Sequence, residues 1–578
     1  MKKLLLSVLM ALPLMANAYT GVTVVDGITY YVVTKAKTAE VRANSSSYYS
    51  GDIVIPGTIE VEGVPCTVKS IANEAFYNCS YLYSVSIPNT VESIGEDAFY
   101  YCRNLTAIKI PGSVKTIGKE AFASCSNMAS VTIAEGVTSI GAYAFVNTSI
   151  KSIVVPNSVT EIGENIFSNC SSLESAHLGS GITAIPENAF SACSQLASVD
   201  LPEALKTIGE FAFQNCKLKA VEMPSDVIEI GTCAFQYCKY METLKLGSSL
   251  NFIGESAFFG CESLQTVVFP DALTTIEDKA FSRCTQLSAV TFGKSIALVG
   301  DYVFSGCNNL TSIYISDLAA WCKIDYGSSP FVAYHKLYLN GEQITNLFIP
   351  AGIIEIPFFA FAMCDGIETI VIPDGVTTIA QSAFYECRSV KSIYIGKDVD
   401  KVYSSAFALC GDITDVYCYA VNVPRTGSNV FYGDEPEYAT LHVPANSIKA
   451  YHDDEAWGVF GDNIVALDGE MPVNPDQPKC AAPTIAVENG KVKFSSETEG
   501  AEFVSKIVAV GSGDYTTNEV SLVPTFEVTV YATATGYQPS DTVKETISLT
   551  GTGSLDIDGD GELTVSDITK LIDAYLEK

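Results

Sequence analysis

Phenylalanine returns at a fixed interval through most of this chain. It stands at Phe76, Phe99, Phe122, Phe145, Phe167, Phe190, Phe213, Phe235, Phe258, Phe281 and Phe304, and after a gap at Phe361, Phe384 and Phe407. The spacing is 22 or 23 residues everywhere but across the gap. Around each one lies the same unit, seen twice in Cys79–Cys125: C-x2-L-x2-(V/I)-x-I-P-x2-V-x2-I-G-x2-A-F-x2-C. A repeat this short cannot close a core of its own. It buries its apolar side chains only by stacking on copies of itself, which makes a solenoid.

Within one copy, Ile108 and Ile110 alternate with Lys109, the pattern of a strand with one buried face. Pro111 ends that strand, since proline has no N–H to give to a ladder. Val114-x-x-Ile117 reads as a second short extended piece, Gly118 as a tight bend, and Glu120-Ala121-Phe122 as a single helical turn driving Phe122 inward. Successive coils are expected to rise by about 4.8 Å.

The L-x2-(V/I)-x-I-P strand and the I-G-x2-A-F-x2-C tail resemble the BspA-type leucine-rich repeat of secreted and surface proteins. The fold class expected is therefore a β-rich leucine-rich-repeat solenoid of short strands plus single helical turns. The resemblance implies a binding scaffold, with adhesion to host matrix proteins or other cells as its known use. It does not name a ligand, because solenoid faces are interchangeable.

At 578 residues, several modules are expected. The net charge of −32 argues against nucleic acid and anionic membranes as partners. Lys2-Lys3, the apolar run Leu4–Met15 and Ala16-Asn17-Ala18 have the form of a secretory signal peptide, residues 1–18, too short to span a bilayer. No other stretch is long and apolar enough to be transmembrane. Export to the cell surface or beyond follows from this reading.

Of 18 cysteines, thirteen hold one repeat position: Cys79, Cys102, Cys125, Cys170, Cys193, Cys216, Cys238, Cys261, Cys284, Cys307, Cys364, Cys387 and Cys410; Thr148 takes that place in one coil. In an oxidising compartment such neighbours are open to disulfide formation. The alternative is a ladder of small buried thiols, and parallel side chains on stacked coils suit packing better than bridging. The ladder lacks the histidine partners and clustered spacing of a zinc site.

Residues 19–60 form a degenerate N-terminal cap, with strand-like runs at Tyr30–Val33 and Asp52–Ile55. The solenoid covers 61–412. Its outward strand position reads Ser86, Lys109, Thr132, Val154, His177, Asp200, Glu222, Lys245, Val268, Thr291 and Tyr314, then Phe348, Val371, Tyr394 and Tyr417. The column is polar in its middle and aromatic toward its end. Tyr314, Phe348, Tyr394 and Tyr417 are thus candidate ligand-binding residues, set against ordinary strand preference for aromatics. An irregular insert at about 316–346 carries a helix capped by Asp317 and the strand Leu337–Leu339 ending in a type I′ turn at Asn340-Gly341. It is read either as a longer coil with its own packing or as a bulge presenting Trp321 and Phe331, with Trp321 a further candidate ligand contact.

A C-terminal cap is expected at 413–468, with a strand at Thr440–Pro444 and a helix over Ser447–Trp457; His452-Asp453-Asp454-Glu455 reads as a solvated helix face rather than a metal cluster. A proline-rich linker, 469–482, precedes a module at 483–550 whose alternating strands resemble a fibronectin-III-like β-sandwich. Residues 551–578 contain Asp556-Ile557-Asp558-Gly559-Asp560-Gly561-Glu562-Leu563-Thr564-Val565-Ser566-Asp567. This has the spacing of a Ca²⁺ loop: Asp556, Asp558, Asp560 and Asp567 supply carboxylates, Glu562 its carbonyl, and Gly561 the sharp turn. Thr564 holds the position where water often intervenes. The following helix puts Ile568, Leu571, Ile572, Tyr575 and Leu576 on one stripe. Loop and helix together resemble one dockerin repeat, which implies a cohesin-like scaffold as partner; dockerins normally have two repeats, and this chain has one.

Catalytic signatures are missing from the sequence: it has no H-E-x-x-H, no phosphate-binding loop and no G-x-S-x-G, and its four histidines (177, 335, 442, 452) are scattered. The reading is a non-catalytic recognition protein binding an extracellular protein or glycan through the strand face. The alternative is a component of a polysaccharide-degrading assembly held by the dockerin-like tail.

Overall fold

The computed structural model describes residues 19–44, 47–473, 479–488, 491–498, 501–509, 525–533, 538 and 540–548. Residues 1–18, read above as a signal peptide, and the acidic tail at 551–578 lie outside the described residues.

Each coil contributes two strands to two parallel ladders. In the first, Ala107–Ile110 pairs with Ser130–Ile133, so that Lys109 faces Thr132. In the second, Thr116–Ile117 pairs with Ser139–Ile140. The register step equals the repeat length, so every residue type meets its own kind in the next coil. This is why a 22- or 23-residue pattern suffices to specify the stack. The second ladder runs unbroken from the N-terminal strands through Glu161–Ile162, and again from Ala184–Ile185 through Asp325–Tyr326. The first ladder is interrupted, for example between Ser198–Asp200 and Ala220–Glu222, where the coil is one residue shorter.

The third side corrects the expected helical turn. Glu120 and Ser124 are left-handed, at φ 54° and 59°, and equivalent residues are so in nearly every coil. The N–H groups alternate in destination. Ala121, Ala123 and Cys125 donate to Gly118, Glu120 and Phe122 of their own coil, while Glu120, Phe122 and Ser124 donate to Ala142, Ala144 and Val146 of the next. An α-helical turn would spend all these donors inside one coil and leave the neighbouring carbonyls unpaired. Side chains in the left-handed region cost about 1–2 kcal/mol each, and the inter-coil hydrogen bonds offset that cost. Gly118 is needed for close approach: a Cβ there would lie 2.4 Å from the carbonyl carbon of Gly95 in the preceding coil.

The phenylalanine rings form a stacked file inside, in two runs that part at the insert. Phe76 and Phe99 lie 4.8 Å apart at 5°, and Phe235 and Phe258 lie 5.2 Å apart at 1°. The file extends into the insert, where Phe331 stacks on Phe304 at 5.6 Å and 5°, and a second run starts at Phe361. It ends at Phe431, stacked on Phe407 at 5.8 Å and capped edge-on by Trp457 and Phe460. Phe331 is therefore an interior member of the file, not a presented side chain.

Beside this file runs the thiol ladder. All 18 cysteines are buried and unbridged. Except for Cys79 and Cys364, each repeat thiol points at the phenylalanine carbonyl of the coil before it: Cys102 at Phe76 (3.0 Å), Cys216 at Phe190 (3.2 Å), Cys410 at Phe384 (3.2 Å). That oxygen already accepts the N–H of its own coil's cysteine, so the thiol fills its second lone pair. Thr148 departs from the pattern: its hydroxyl donates to Phe145 O of its own coil at 2.9 Å and meets Cys170 Sγ at 3.2 Å.

The ends are closed differently. An antiparallel set, Thr20–Val25, Ile28–Val33 and Thr38–Arg42, leads into Val64–Ile71, which starts the parallel ladder. At the other end Thr440–Val443 and Ile464–Ala466 continue the first ladder, and a helix at Ile448–Asp453 covers the last coil with Tyr451 inward. His452 is exposed on that helix. Beyond residue 480, two antiparallel pieces are described: Thr484–Glu488 with Lys491–Ser495, and Glu502–Ala509, Thr525–Thr533 and Val543–Ser548 in one sheet.

Candidate interaction face

The outward column is real and longer than its sequence reading. Strand register places Tyr314 beside Tyr338, and separately aligns Phe348, Val371, Tyr394, Tyr417, His442 and Val465. Tyr338 and His442 were missed. Their signal was present, since Leu337-Tyr338-Leu339 and Leu441-His442-Val443 show the same alternation as the regular coils. The column divides at the insert, where Lys336–Leu339 turns back antiparallel onto Glu342–Gln343 through left-handed Asn340 and Gly341.

The rings are half-buried, not free-standing, because they stack. Tyr314 and Tyr338 lie 4.7 Å apart, Tyr394 and Tyr417 4.5 Å at 2°, and Tyr417 and His442 4.1 Å at 11°. Val371, flanked in register by Phe348 and Tyr394, is buried at 3%. Burial, followed by Asp415, raises the Tyr394 phenol; burial, Asp415 and Tyr394 raise Tyr417. Both phenols therefore stay neutral donors at physiological pH.

Trp321 does not belong to this face. It sits at the end of the short helix Leu318–Trp321, whose N-terminus Asp317 caps by accepting from Ala320 N. The indole is buried at 1%, donates to Ala360 O at 2.9 Å, and packs edge-on against Phe292 at 5.0 Å. It fills the volume left where the insert departs from the repeat, so the expectation of a presented Trp321 is corrected: the insert is a longer coil with its own packing. His335 completes that packing. Its Nδ1 lies 3.1 Å from Ala333 O and its Nε2 3.3 Å from Cys364 Sγ, in place of the usual phenylalanine carbonyl. Burial lowers its pKa to about 4, so the ring is neutral, with Nδ1–H donating and Nε2 accepting the thiol proton.

The middle of the column is charged and solvated. His177 Nδ1 meets Asp200 at 3.2 Å, and Glu222 pairs with Lys245. A shallow groove of about 550 Å³ opens there at the ladder break, lined by Asp200, Glu222 and Lys245. Its carboxylates are largely exposed, without the burial that tunes an acid–base pair.

Among the described residues, no group of three His, Cys, Asp or Glu side chains is placed to hold a metal, and no helix is long and apolar enough to cross a membrane. The acidic loop Asp556, Asp558, Asp560, Glu562, Asp567 lies outside the described residues.

The chain is similar to a leucine-rich repeat protein of Bacteroides ovatus at 25% identity, over 75% of this chain and 98% of that one, with a TM-score of 0.44. It is also similar to a leucine rich cell surface protein of Faecalibacterium prausnitzii at 24% identity, over 68% and 94%, with a TM-score of 0.35. The pneumococcal vaccine antigen PcpA aligns at 14% identity over 78% and 99%, with a TM-score of 0.31. A search of curated proteins returns no match. The family model described as "BspA type Leucine rich repeat region (6 copies)" matches residues 59–174, 130–242, 160–287, 228–323 and 334–452. With more than half its length matched and with the repeat's strands, ring file and turns in place, the chain belongs to the BspA-type leucine-rich repeat family.

Proposed function

We propose that this protein is exported and acts as a non-catalytic recognition scaffold, binding an extracellular protein or glycan through the first-ladder face. The observation that carries this reading is the ordered aromatic column, Tyr314 and Tyr338 before the turn of the insert and Phe348, Tyr394, Tyr417 and His442 after it, on a surface whose earlier coils place charged, small or β-branched residues. Half-buried aromatics held rigid by stacking lose little entropy on binding, which suits them as anchors. The signal-like residues 1–18 support export. Capture of extracellular proteins and polysaccharides on immobilised mature chain tests the reading. Replacing Tyr314, Phe348, Tyr394 and Tyr417 together by serine is expected to abolish capture; capture that survives intact refutes the face.

A second reading rests on the sequence of the tail. The donor set Asp556, Asp558, Asp560, Glu562 and Asp567 fits Ca²⁺, and the spacing of Ile568, Leu571, Ile572, Tyr575 and Leu576 would put an apolar stripe on a helix after it, suited to a cohesin-like partner in a polysaccharide-degrading assembly. Calorimetry with Ca²⁺ alone is expected to show binding that is lost on deleting 551–578. Removing that tail is then expected to release the protein from its native location, and unchanged location counts against the assembly.

A further inference from the structure

Tyr417 offers a ligand neither of its ring faces. One is covered by Tyr394 at 4.5 Å and the other by His442 at 4.1 Å. Sugars bind aromatic residues by laying C–H groups flat on an open face, and here that face is taken. What remains outward is the ring rim and the phenolic oxygen.

The surroundings of that rim are acidic. Asp415 precedes Tyr417 by two residues on the same strand and meets His442 Nε2 at 3.1 Å. Asp468, just past the last strand, lies 3.9 Å from His442 Nδ1, a buried nitrogen that has no hydrogen-bond partner. Tyr419 donates its hydroxyl to Gly469 O at 3.4 Å, which brings Glu470 to the same spot. The Tyr419 phenol is pushed up to about 12 by burial, then by Tyr394, Tyr417, Glu470 and Asp468, so these groups share one field. Earlier coils neutralise their carboxylates: Lys391 pairs with Glu368 at 3.0 Å and Lys397 with Asp374 at 2.7 Å. Among the described residues, Asp415, Asp468 and Glu470 have no lysine or arginine within ion-pair distance.

We propose that this end of the strand face docks a lysine- or arginine-bearing segment of a protein partner. Its cationic heads would sit on Asp415, Asp468 and Glu470, and its aliphatic stems along the rims of Tyr394, Tyr417 and Tyr419. Cation and carboxylate form charge-assisted hydrogen bonds, and long basic side chains carry apolar stems that cover ring edges. This rests on the recognition reading above and names the partner's chemistry.

The test is fluorescence anisotropy of the full mature chain with a short labelled lysine/arginine peptide at physiological ionic strength. The triple change Asp415→Asn, Asp468→Asn, Glu470→Gln is compared with Glu161→Gln, Glu229→Gln, Glu242→Gln, which alters net charge equally on exposed residues elsewhere. The first triple is expected to weaken binding roughly ten-fold and the second less than about two-fold. Equal losses would mean diffuse attraction to an acidic protein and overturn the proposal, as would no peptide binding by the unaltered chain. A parallel oligosaccharide series separates the two levels. Sugar binding that survives the carboxylate triple and is lost with Tyr394→Ser and Tyr417→Ser overturns the cationic partner and leaves the recognition face standing.

Discussion

Raising the pH should unfold this solenoid abruptly, because its interior holds many thiols that cannot ionise in place. Burial pushes Cys125 and Cys238 up to about 12 and Cys170 to about 11. Burial, reinforced by neighbouring cysteines, holds Cys193, Cys216, Cys261, Cys284, Cys387 and Cys410 well above the ordinary value of 9. In the unfolded chain the same thiols lose their protons near pH 9. Above that pH the unfolded state binds fewer protons than the folded one, so stability is full below pH 9 and falls as pH rises toward the folded values. At pH 10 each thiol costs about 1 kcal/mol, and the nine named here together cost about 10 kcal/mol. That matches the whole net stability of an ordinary domain, 5–15 kcal/mol. Far-UV circular dichroism against pH should therefore show cooperative unfolding close to pH 10. The buried phenols of Tyr30, Tyr326 and Tyr451 are raised too, so the decisive comparison leaves them alone. Changing Cys193, Cys216, Cys238 and Cys261 to serine keeps a hydroxyl donor at each of these positions and removes four ionisations. The midpoint should rise by roughly half a pH unit. An unmoved midpoint, or an unaltered chain still folded at pH 11, would refute the reasoning.

His335 acts in the opposite direction. Its pKa, lowered by burial to about 4, gives stability that is present above the unfolded value of 6.5 and lost as pH falls toward 4, worth about 3 kcal/mol in all. His335→Gln keeps an acceptor for Cys364, and its unfolding free energy should be flatter across that window when measured by urea titration. Phe213→Ala should cost about 3–5 kcal/mol by emptying the middle of the ring file, where Phe190 and Phe235 stack at 5.2 Å on either side, and Phe213→Leu should cost much less. Thermal melts separate the two. Trp321→Phe should destabilise by about 1–3 kcal/mol through the unpaired Ala360 carbonyl, without changing capture of any partner by the face.

A repeat whose period equals its own strand register leaves little freedom. Lys109 meets Thr132 because each occupies the same place in its unit, so the column could be written down from the spacing alone. The same logic made the buried thiol file and the interior phenylalanines legible, together with the Asp317 cap and the turn at Asn340-Gly341. Left-handed Glu120 and Ser124 were not, since neither residue is a glycine and the conformation is stabilised by carbonyls one coil away. Nor could the insert be placed: spacing leaves open whether it is a longer coil or a bulge presenting Trp321 and Phe331, and only their packing on Phe292 and Phe304 decides for the coil. Stacking, finally, is a distance between coils. Sequence spacing put Tyr394 and Tyr417 in one column, but only three-dimensional packing closed their faces against each other and against His442 and left a rim for a partner to meet.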